Sequence, residues 1–130
     1  MSYHYNTFLL DTNTIMYLIK GDEKVLHLVD GKSVAINFIT EIELLGWRSM
    51  PVEFQNIIID IIKDVQYFDY SYRIKQRTIN LRQKYNFKLG DAFIAATALE
   101  FDLILISADK IFSKVDDLRL INFSPTNNNE

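Results

Sequence analysis

The segment FLLDTNTIMYLIKG, residues 8–21, holds the first step from strand to helix along the chain. Its apolar beginning predicts a short buried strand over residues 7–11. Apolar residues at helical spacing then predict a helix over residues 12–20, and Gly21 stands where helices often end. Asp11, the charge at the end of the strand, therefore has two explanations. It either caps the helix or lies at the edge of a sheet and binds a metal ion.

The rest of the chain repeats this alternation of strand and helix. The patterns predict further strands over residues 33–37, 65–68, 103–106 and 118–121, and helices over residues 23–29, 39–47, 51–64, 71–85, 89–101 and 110–112. Strands separated by helices predict parallel pairing through right-handed crossovers, with helices on both faces of the sheet. We therefore predict one α/β domain over residues 1–123, built on a small parallel sheet, and a disordered polar tail over residues 124–130.

Composition excludes several classes of site. The 130 residues suit one compact domain and include no cysteine, which excludes disulfides, thiolate catalysis and cysteine-ligated zinc. With two histidines, a histidine-rich metal site is not expected. No apolar run is long enough to span a bilayer, and the first residues lack the basic start and apolar stretch of a signal peptide. The expectation is a cytoplasmic protein with no membrane segment.

Several carboxylates fall where a parallel sheet would collect them. Ligands of open parallel sheets bind beyond the carboxyl ends of the strands, and Asp11 and Asp109 each follow a predicted strand. Each can equally be the cap of the helix that comes after it. Asp91, in KLGDAFIAATAL, shares its helix face with apolar residues, so it caps the helix start or turns inward to a partner. In ITEIELLGW, periodicity does not separate Glu41 from Glu43.

One segment of the chain is strongly basic although the net charge is −3. Residues 71–90 contain no Asp or Glu but contain Arg73, Lys75, Arg77, Arg82, Lys84 and Lys88. Such a segment is either a contact for phosphate groups or the solvated face of a helix. The second explanation is the commoner one for most of these six residues.

The order of four motifs resembles the PIN domain, and specifically the small VapC-like toxin type. The motifs are LLDTNTIMYLIKG, ITEIELLGW, KLGDAFIAATAL and LILISADKIF, and the resemblance runs over about residues 8–121. The family pattern has an Asp after the first strand, a Glu in an E-L-x-x-G-like helix, an Asp opening an alanine-rich helix and an Asp after the fourth strand. The resemblance implies that four residues are catalytic and bind metal, namely Asp11, Glu43, Asp91 and Asp109.

The same resemblance assigns roles to neighbouring residues. The order Glu-Leu-Leu-Gly selects Glu43 over Glu41. Small polar residues at three family positions imply support for the carboxylates from Thr12, Asn13 and Ser107. Gly90 stands at a position where many relatives carry another residue.

What the resemblance implies is a metal-dependent endoribonuclease, the toxin of a type II toxin–antitoxin pair. Hard oxygen ligands favour Mg²⁺ or Mn²⁺, and without metal the repulsion among four carboxylates should raise at least one pKa. The implied partners are an RNA substrate, a cognate antitoxin that blocks the site, and a second copy in a homodimer. Arg82 and Lys88 lie nearest Asp91 in sequence and are the expected RNA contacts.

Other proteins with acidic residues at the ends of parallel strands fit less well. A receiver-like signalling domain needs a phosphoacceptor Asp after the third strand, where Asp69 lacks suitable surroundings. A phosphatase of the haloacid dehalogenase type needs a second Asp at the position of Asn13. A non-catalytic module that binds nucleic acid or protein with the same fold remains open.

Overall fold

A computed structural model describes residues 6–126 of the chain. The strands are β1 (Thr7–Leu10), β2 (Ser33–Asn37), β3 (Gln66–Phe68), β4 (Ile104–Ser107) and β5 (Arg119–Asn122). The helices are α1 (Thr12–Ile19), α2 (Glu23–Val29), α3 (Phe38–Leu45), α4 (Val52–Asp64), α5 (Tyr72–Lys84) and α6 (Leu89–Phe101), followed by a 3₁₀ helix (Lys110–Lys114). In these residues no helix has the length and apolar character needed to cross a membrane.

The five strands form one parallel sheet in the order β3-β2-β1-β4-β5. Strand β1 lies in the middle of the sheet. Strands β2 and β3 lie on one side of it, and β4 and β5 lie on the other side. The strand order therefore changes direction between β1 and β4, and the carboxyl ends of these two strands form a topological switch point. Ligands of open α/β sheets bind at such points. The predicted α/β fold with a small parallel sheet is confirmed.

Alternation along the strands produces a core on each face of the sheet. On one face Leu9 packs in a cluster with residues of α5 and α6. On the other face Phe8 and Leu10 pack in a second cluster with residues of α1, α3 and α4. Helices therefore cover both faces, as predicted.

Helix α6 lies close to the sheet because its inward side chains are small. Ala92, Ala95 and Ala96 have no exposed surface, so a short distance separates the helix backbone from the strands. This packing holds the first turn of α6 at the carboxyl edge of the sheet.

Several predicted element ends are shifted by one or two residues, and two further details differ from the prediction. Pro51 precedes α4 as its cap residue instead of occupying its first helical position. Thr126 lies within the segment predicted as a disordered tail, yet its backbone N–H donates to Asp22 Oδ2 at 2.8 Å and its hydroxyl accepts from the Lys24 N–H at 3.2 Å. Contact with the domain therefore continues beyond residue 123, and residues 127–130 lie outside the described part of the chain.

Candidate active site

An open cavity of about 540 Å³ lies at the carboxyl ends of β1 and β4, where α1, α3 and α6 also meet. All four carboxylates that the motifs singled out line it, together with two of the predicted supporting residues. The lining residues are Asp11, Thr12, Asn13, Tyr17, Glu43, Lys88, Asp91, Ile94, Ala108 and Asp109. The fold thus brings four acidic side chains from four separate motifs to one place.

Asp11 both caps α1 and lines this cavity, so its two explanations are compatible. Its Oδ1 accepts from the backbone N–H of Thr14 at 3.0 Å and lies 2.6 Å from the Thr14 hydroxyl, and its Oδ2 accepts from Ser107 Oγ at 2.5 Å. Burial raises the pKa of Asp11, the bonds from Ser107 and Thr14 oppose that rise, and the charge of Asp109 adds to it. Asp11 is therefore held in place by the protein before any ligand binds.

Ser107 connects the ends of the two central strands. Its hydroxyl donates to Asp11, which directly follows β1, and accepts from the backbone N–H of Asp109 at 3.0 Å. Ser107 has no exposed surface, so water does not compete for these bonds. Asn122 on β5 adds a brace by donating to the backbone oxygens of Ser107 and Asp109 at 2.9 and 3.2 Å.

Asp109 also caps the element that follows it. Its Oδ1 accepts from the Ile111 N–H at 3.0 Å, at the start of the 3₁₀ helix. The side chain is exposed at the rim of the cavity. Like Asp11, it combines a capping bond with a position facing the other carboxylates.

Asp91 is the third residue of α6 and is half-buried. Lys88 occupies the cap position of this helix and makes no side-chain capping bond. Partial burial raises the pKa of Asp91, and the charges of Asp109, Asp11 and Glu43 raise it further, while Lys88 lowers it. The four carboxylates therefore act on one another electrostatically.

Glu43 and Glu41 lie on different sides of α3. Glu43 Oε1 accepts a hydrogen bond from the Thr12 hydroxyl, which also lies 3.3 Å from Thr40 Oγ1. Glu41 instead accepts from the hydroxyl of Tyr67 on β3 and does not line the cavity. The geometry therefore places at the cavity the same glutamate that the motif order selects.

The two predicted RNA contacts occupy different positions. Lys88 lines the cavity, whereas Arg82 is exposed on α5 and is not among the lining residues. Two other basic residues of α5, Arg73 and Arg77, bond to Glu100 of α6 at 2.6 and 2.7 Å. Much of the basic segment thus joins helices or faces solvent, and within residues 6–126 Lys88 is the basic residue that lines the acidic cavity.

The donor atoms of the four carboxylates suit a hard cation, but their side chains are not arranged as a coordination shell. Oxygen donors without nitrogen or sulfur favour Mg²⁺ or Mn²⁺. Burial is the main cause that raises the pKa of Asp11 and of Asp91, and neighbouring carboxylates add to it, so a bound cation would favour the ionised form of both groups. However, within residues 6–126 no group of three or more acidic, His or Cys side chains is arranged to hold a metal ion. Movement of an exposed side chain such as Asp109 would complete a coordination shell.

A second cavity, of about 400 Å³, adjoins the first. It is lined by Thr12, Asn13, Met16, Tyr17, Lys20, Glu43, Leu44 and Trp47, so four residues belong to both cavities. Trp47, which its apolar character alone would place in the core, is 49% exposed here. An apolar surface therefore leads directly to the acidic cavity.

Comparison with known proteins agrees with this geometry. The model of the PIN domain family matches residues 8–118. No match was found among curated proteins. A toxin–antitoxin complex from Klebsiella pneumoniae contains a chain with 26% identity and a TM-score of 0.75, over 88% of this chain and 95% of that one.

Two further solved structures share the fold. VapBC-1 from nontypeable Haemophilus influenzae has 25% identity and a TM-score of 0.72, over 89% of this chain and 97% of that one. VapBC2 from Rickettsia felis, bound to a DNA fragment from its promoter, has 19% identity and a TM-score of 0.79, over 91% of this chain and 99% of that one.

Proposed function

Because this chain belongs to the PIN domain family, we propose that it is a metal-dependent endoribonuclease and the toxin of a type II toxin–antitoxin pair. The observation that carries the proposal is the cavity at the switch point of the sheet, which Asp11, Glu43, Asp91 and Asp109 line together. Carboxylates gathered from separate motifs in this way are suited to hold a divalent cation for phosphodiester hydrolysis.

Three of the carboxylates would hold the cation, directly or through water: Asp11, Asp91 and Asp109. Mg²⁺ or Mn²⁺, when bound, lowers the pKa of a water molecule and stabilises charge on the leaving oxygen. Glu43 lines the same cavity and orients the attacking water or joins a second cation. Its carboxylate is held by Thr12, while Ser107 and Thr14 hold Asp11. Asn13 lines the cavity beside them.

The negative charge of the cavity repels the RNA phosphate. A basic side chain at the rim of the cavity would reduce this repulsion. Lys88 is exposed and lines the cavity, which fits it to contact the phosphate next to the scissile bond. Arg82 lies outside the cavity and would contact phosphates farther along the strand.

The second cavity and its exposed Trp47 support an antitoxin partner. An apolar surface beside an acidic one suits a polypeptide with apolar anchors and a basic residue, and such a partner would block access to Glu43. The similar chain from Klebsiella belongs to a toxin–antitoxin complex, which supports a partner of this kind. We also propose that the chain forms a homodimer, because α4 presents three exposed apolar residues, Val52, Ile57 and Ile59. We further propose that it acts in the cytoplasm.

One observation favours a second function, a non-catalytic module that binds nucleic acid or protein. No ready coordination site exists among the side chains of residues 6–126. A binding module would retain the cavity and Lys88 without cleaving RNA.

Cleavage of a structured RNA pool distinguishes the two functions. The wild type is compared with Asp91→Asn, with and without Mg²⁺ or Mn²⁺, and Asp60→Asn on the exposed face of α4 is the matched control. The nuclease is supported by metal-dependent cleavage that Asp91→Asn abolishes and Asp60→Asn retains. RNA binding without cleavage by the folded wild type would favour the binding module, and cleavage that persists in Asp91→Asn would contradict the proposed site.

A further inference from the structure

Gly90 is the second residue of α6 and directly precedes Asp91. Its backbone does not require glycine, since the glycines with positive φ in the described residues are Gly21 and Gly31. Glycine inside a helix is less favourable than alanine because it loses more backbone freedom on folding. The reason for a glycine at this position must therefore lie in what a side chain would meet.

A side chain at position 90 would meet the carboxylate of Glu43. An added Cβ would lie 3.2 Å from Glu43 Oε2 and 3.9 Å from Glu43 Cδ, while the next neighbour, Ile39 Cγ2, lies at an ordinary 3.6 Å. The Glu43 oxygen is thus the atom that has to move. The Glu43 carboxylate therefore lies against the space that a side chain at position 90 would fill.

The other oxygen of the same carboxylate is held from the opposite direction. Glu43 Oε1 accepts from the hydroxyl of Thr12, the first residue of α1. Glu43 therefore spans the gap between the helix that Asp11 caps and the helix that carries Asp91. A side chain at position 90 would therefore push directly on the Glu43 carboxylate.

We propose that Gly90 is a positioning residue, whose missing side chain admits the Glu43 carboxylate to the cavity beside Asp91. The effect of Gly90 on cleavage rests on the proposed function, whereas the close spacing between position 90 and Glu43 does not depend on that function. A methyl group at this position displaces the Glu43 carboxylate by a few tenths of an ångström or breaks its bond to Thr12. The helix itself gains from the change, since alanine has the higher helix propensity. Stability and activity should then move in opposite directions.

The test is a double-mutant cycle of the wild type, Gly90→Ala, Glu43→Ala and the double variant. Three properties are measured: the melting temperature without metal, the ¹³C resonance of the Glu43 side-chain carboxyl, and metal-dependent RNA cleavage. Gly90→Ala should keep or raise the melting temperature, shift the Glu43 resonance more than the other carboxyl resonances, and lower cleavage about tenfold. In the Glu43→Ala background, Gly90→Ala should leave the residual cleavage unchanged, because the displaced group is absent.

Leu89→Ala is the control for changes at the start of α6, because Leu89 is 53% exposed and does not line the cavity. It should leave the Glu43 resonance and cleavage unchanged. Gly90→Ser is a second variant that places the same Cβ against Glu43. An unmoved Glu43 resonance in both Gly90 variants would overturn the inference, as would an equal loss of cleavage in the Glu43→Ala background. If the wild type cleaves no RNA, the proposed function fails, and the resonance still decides whether Gly90 positions Glu43.

Discussion

Ser107 Oγ donates a 2.5 Å hydrogen bond to Asp11 Oδ2, which joins the carboxyl ends of the two central strands. Asp11 is only 8% exposed, so this bond and those from Thr14 replace most of the water that an ionised carboxylate would otherwise have. The bond also fixes the rotation of the Asp11 side chain. A metal ligand is preorganised when such a neighbour holds it.

Ser107→Ala should weaken both the fold and the activity. Loss of a hydrogen bond to a buried carboxylate costs about 1–3 kcal/mol in the free energy of unfolding. Loss of a residue that orients a metal ligand lowers activity about tenfold or more. Urea denaturation and RNA cleavage measure the two effects, with Ser113→Ala, exposed on the 3₁₀ helix, as control. Cleavage equal to that of the wild type would contradict the role of Ser107.

Asp91→Asn should stabilise the metal-free protein at neutral pH. Burial and the other carboxylates raise the pKa of Asp91 in the folded state, so folding favours its protonated form. The stability that it contributes is present below its unfolded pKa, near 4, and is lost as the pH rises through the folded value. Asparagine removes this loss. Since Asp91 is half-exposed, solvent screening limits the gain to about 1 kcal/mol or less.

Denaturation of the wild type and Asp91→Asn at several pH values checks this sign. The difference in the free energy of unfolding should be largest at pH 7 and shrink toward pH 4. Asp60→Asn, on the exposed surface of α4, should show no such trend. A variant less stable than the wild type at pH 7 would count against repulsion among the carboxylates.

Local pattern predicts most of the strands and helices, because β1 and β4 are short apolar runs and helices such as α1 and α4 have a regular apolar face. It could not separate Glu41 from Glu43, which are two residues apart. What separates them in space is Tyr67 of β3, which binds Glu41, and Thr12 of α1, which binds Glu43. Contacts between distant segments of this kind leave no periodic signal.

The residues that hold the carboxylates in place are also difficult to predict from local sequence. The sequence does not single out Thr14, because a capping Asp accepts from the backbone N–H of the third helical residue whatever its side chain, and the additional contact of the Thr14 hydroxyl with Asp11 has no local signal. Asn122 braces Ser107 and Asp109 from β5, and its role depends on the order of strands in the sheet. Arg82 lies close to Asp91 along the sequence but does not line the cavity in the folded chain.

Lys88→Ala should reduce RNA cleavage more than Arg82→Ala does. Lys88 lines the cavity and its side chain makes no capping bond to α6, so its removal takes away a charge without uncapping the helix. We expect about a tenfold loss of cleavage, and a salt dependence of RNA binding weaker by about 0.7 in the logarithmic slope. Arg82→Ala removes the same charge at a position outside the cavity and should lower cleavage less than Lys88→Ala does. Equal losses in both variants would indicate a diffuse basic surface in place of a contact at the cavity.

Divalent cations should stabilise the folded chain through the carboxylates of the cavity. A cation that binds only the folded state raises the free energy of unfolding by about 2.7 kcal/mol at 100 times its Kd. The expected result is a rise in the melting temperature of the wild type with Mn²⁺ or Mg²⁺. Asp91→Asn should show little of this rise although its metal-free form melts higher, because it lacks both the repulsion and the ligand. Asp60→Asn, which keeps all four carboxylates, should follow the wild type. An equal rise in Asp91→Asn and the wild type would place the cation away from this cavity, and the carboxylates would then need another explanation.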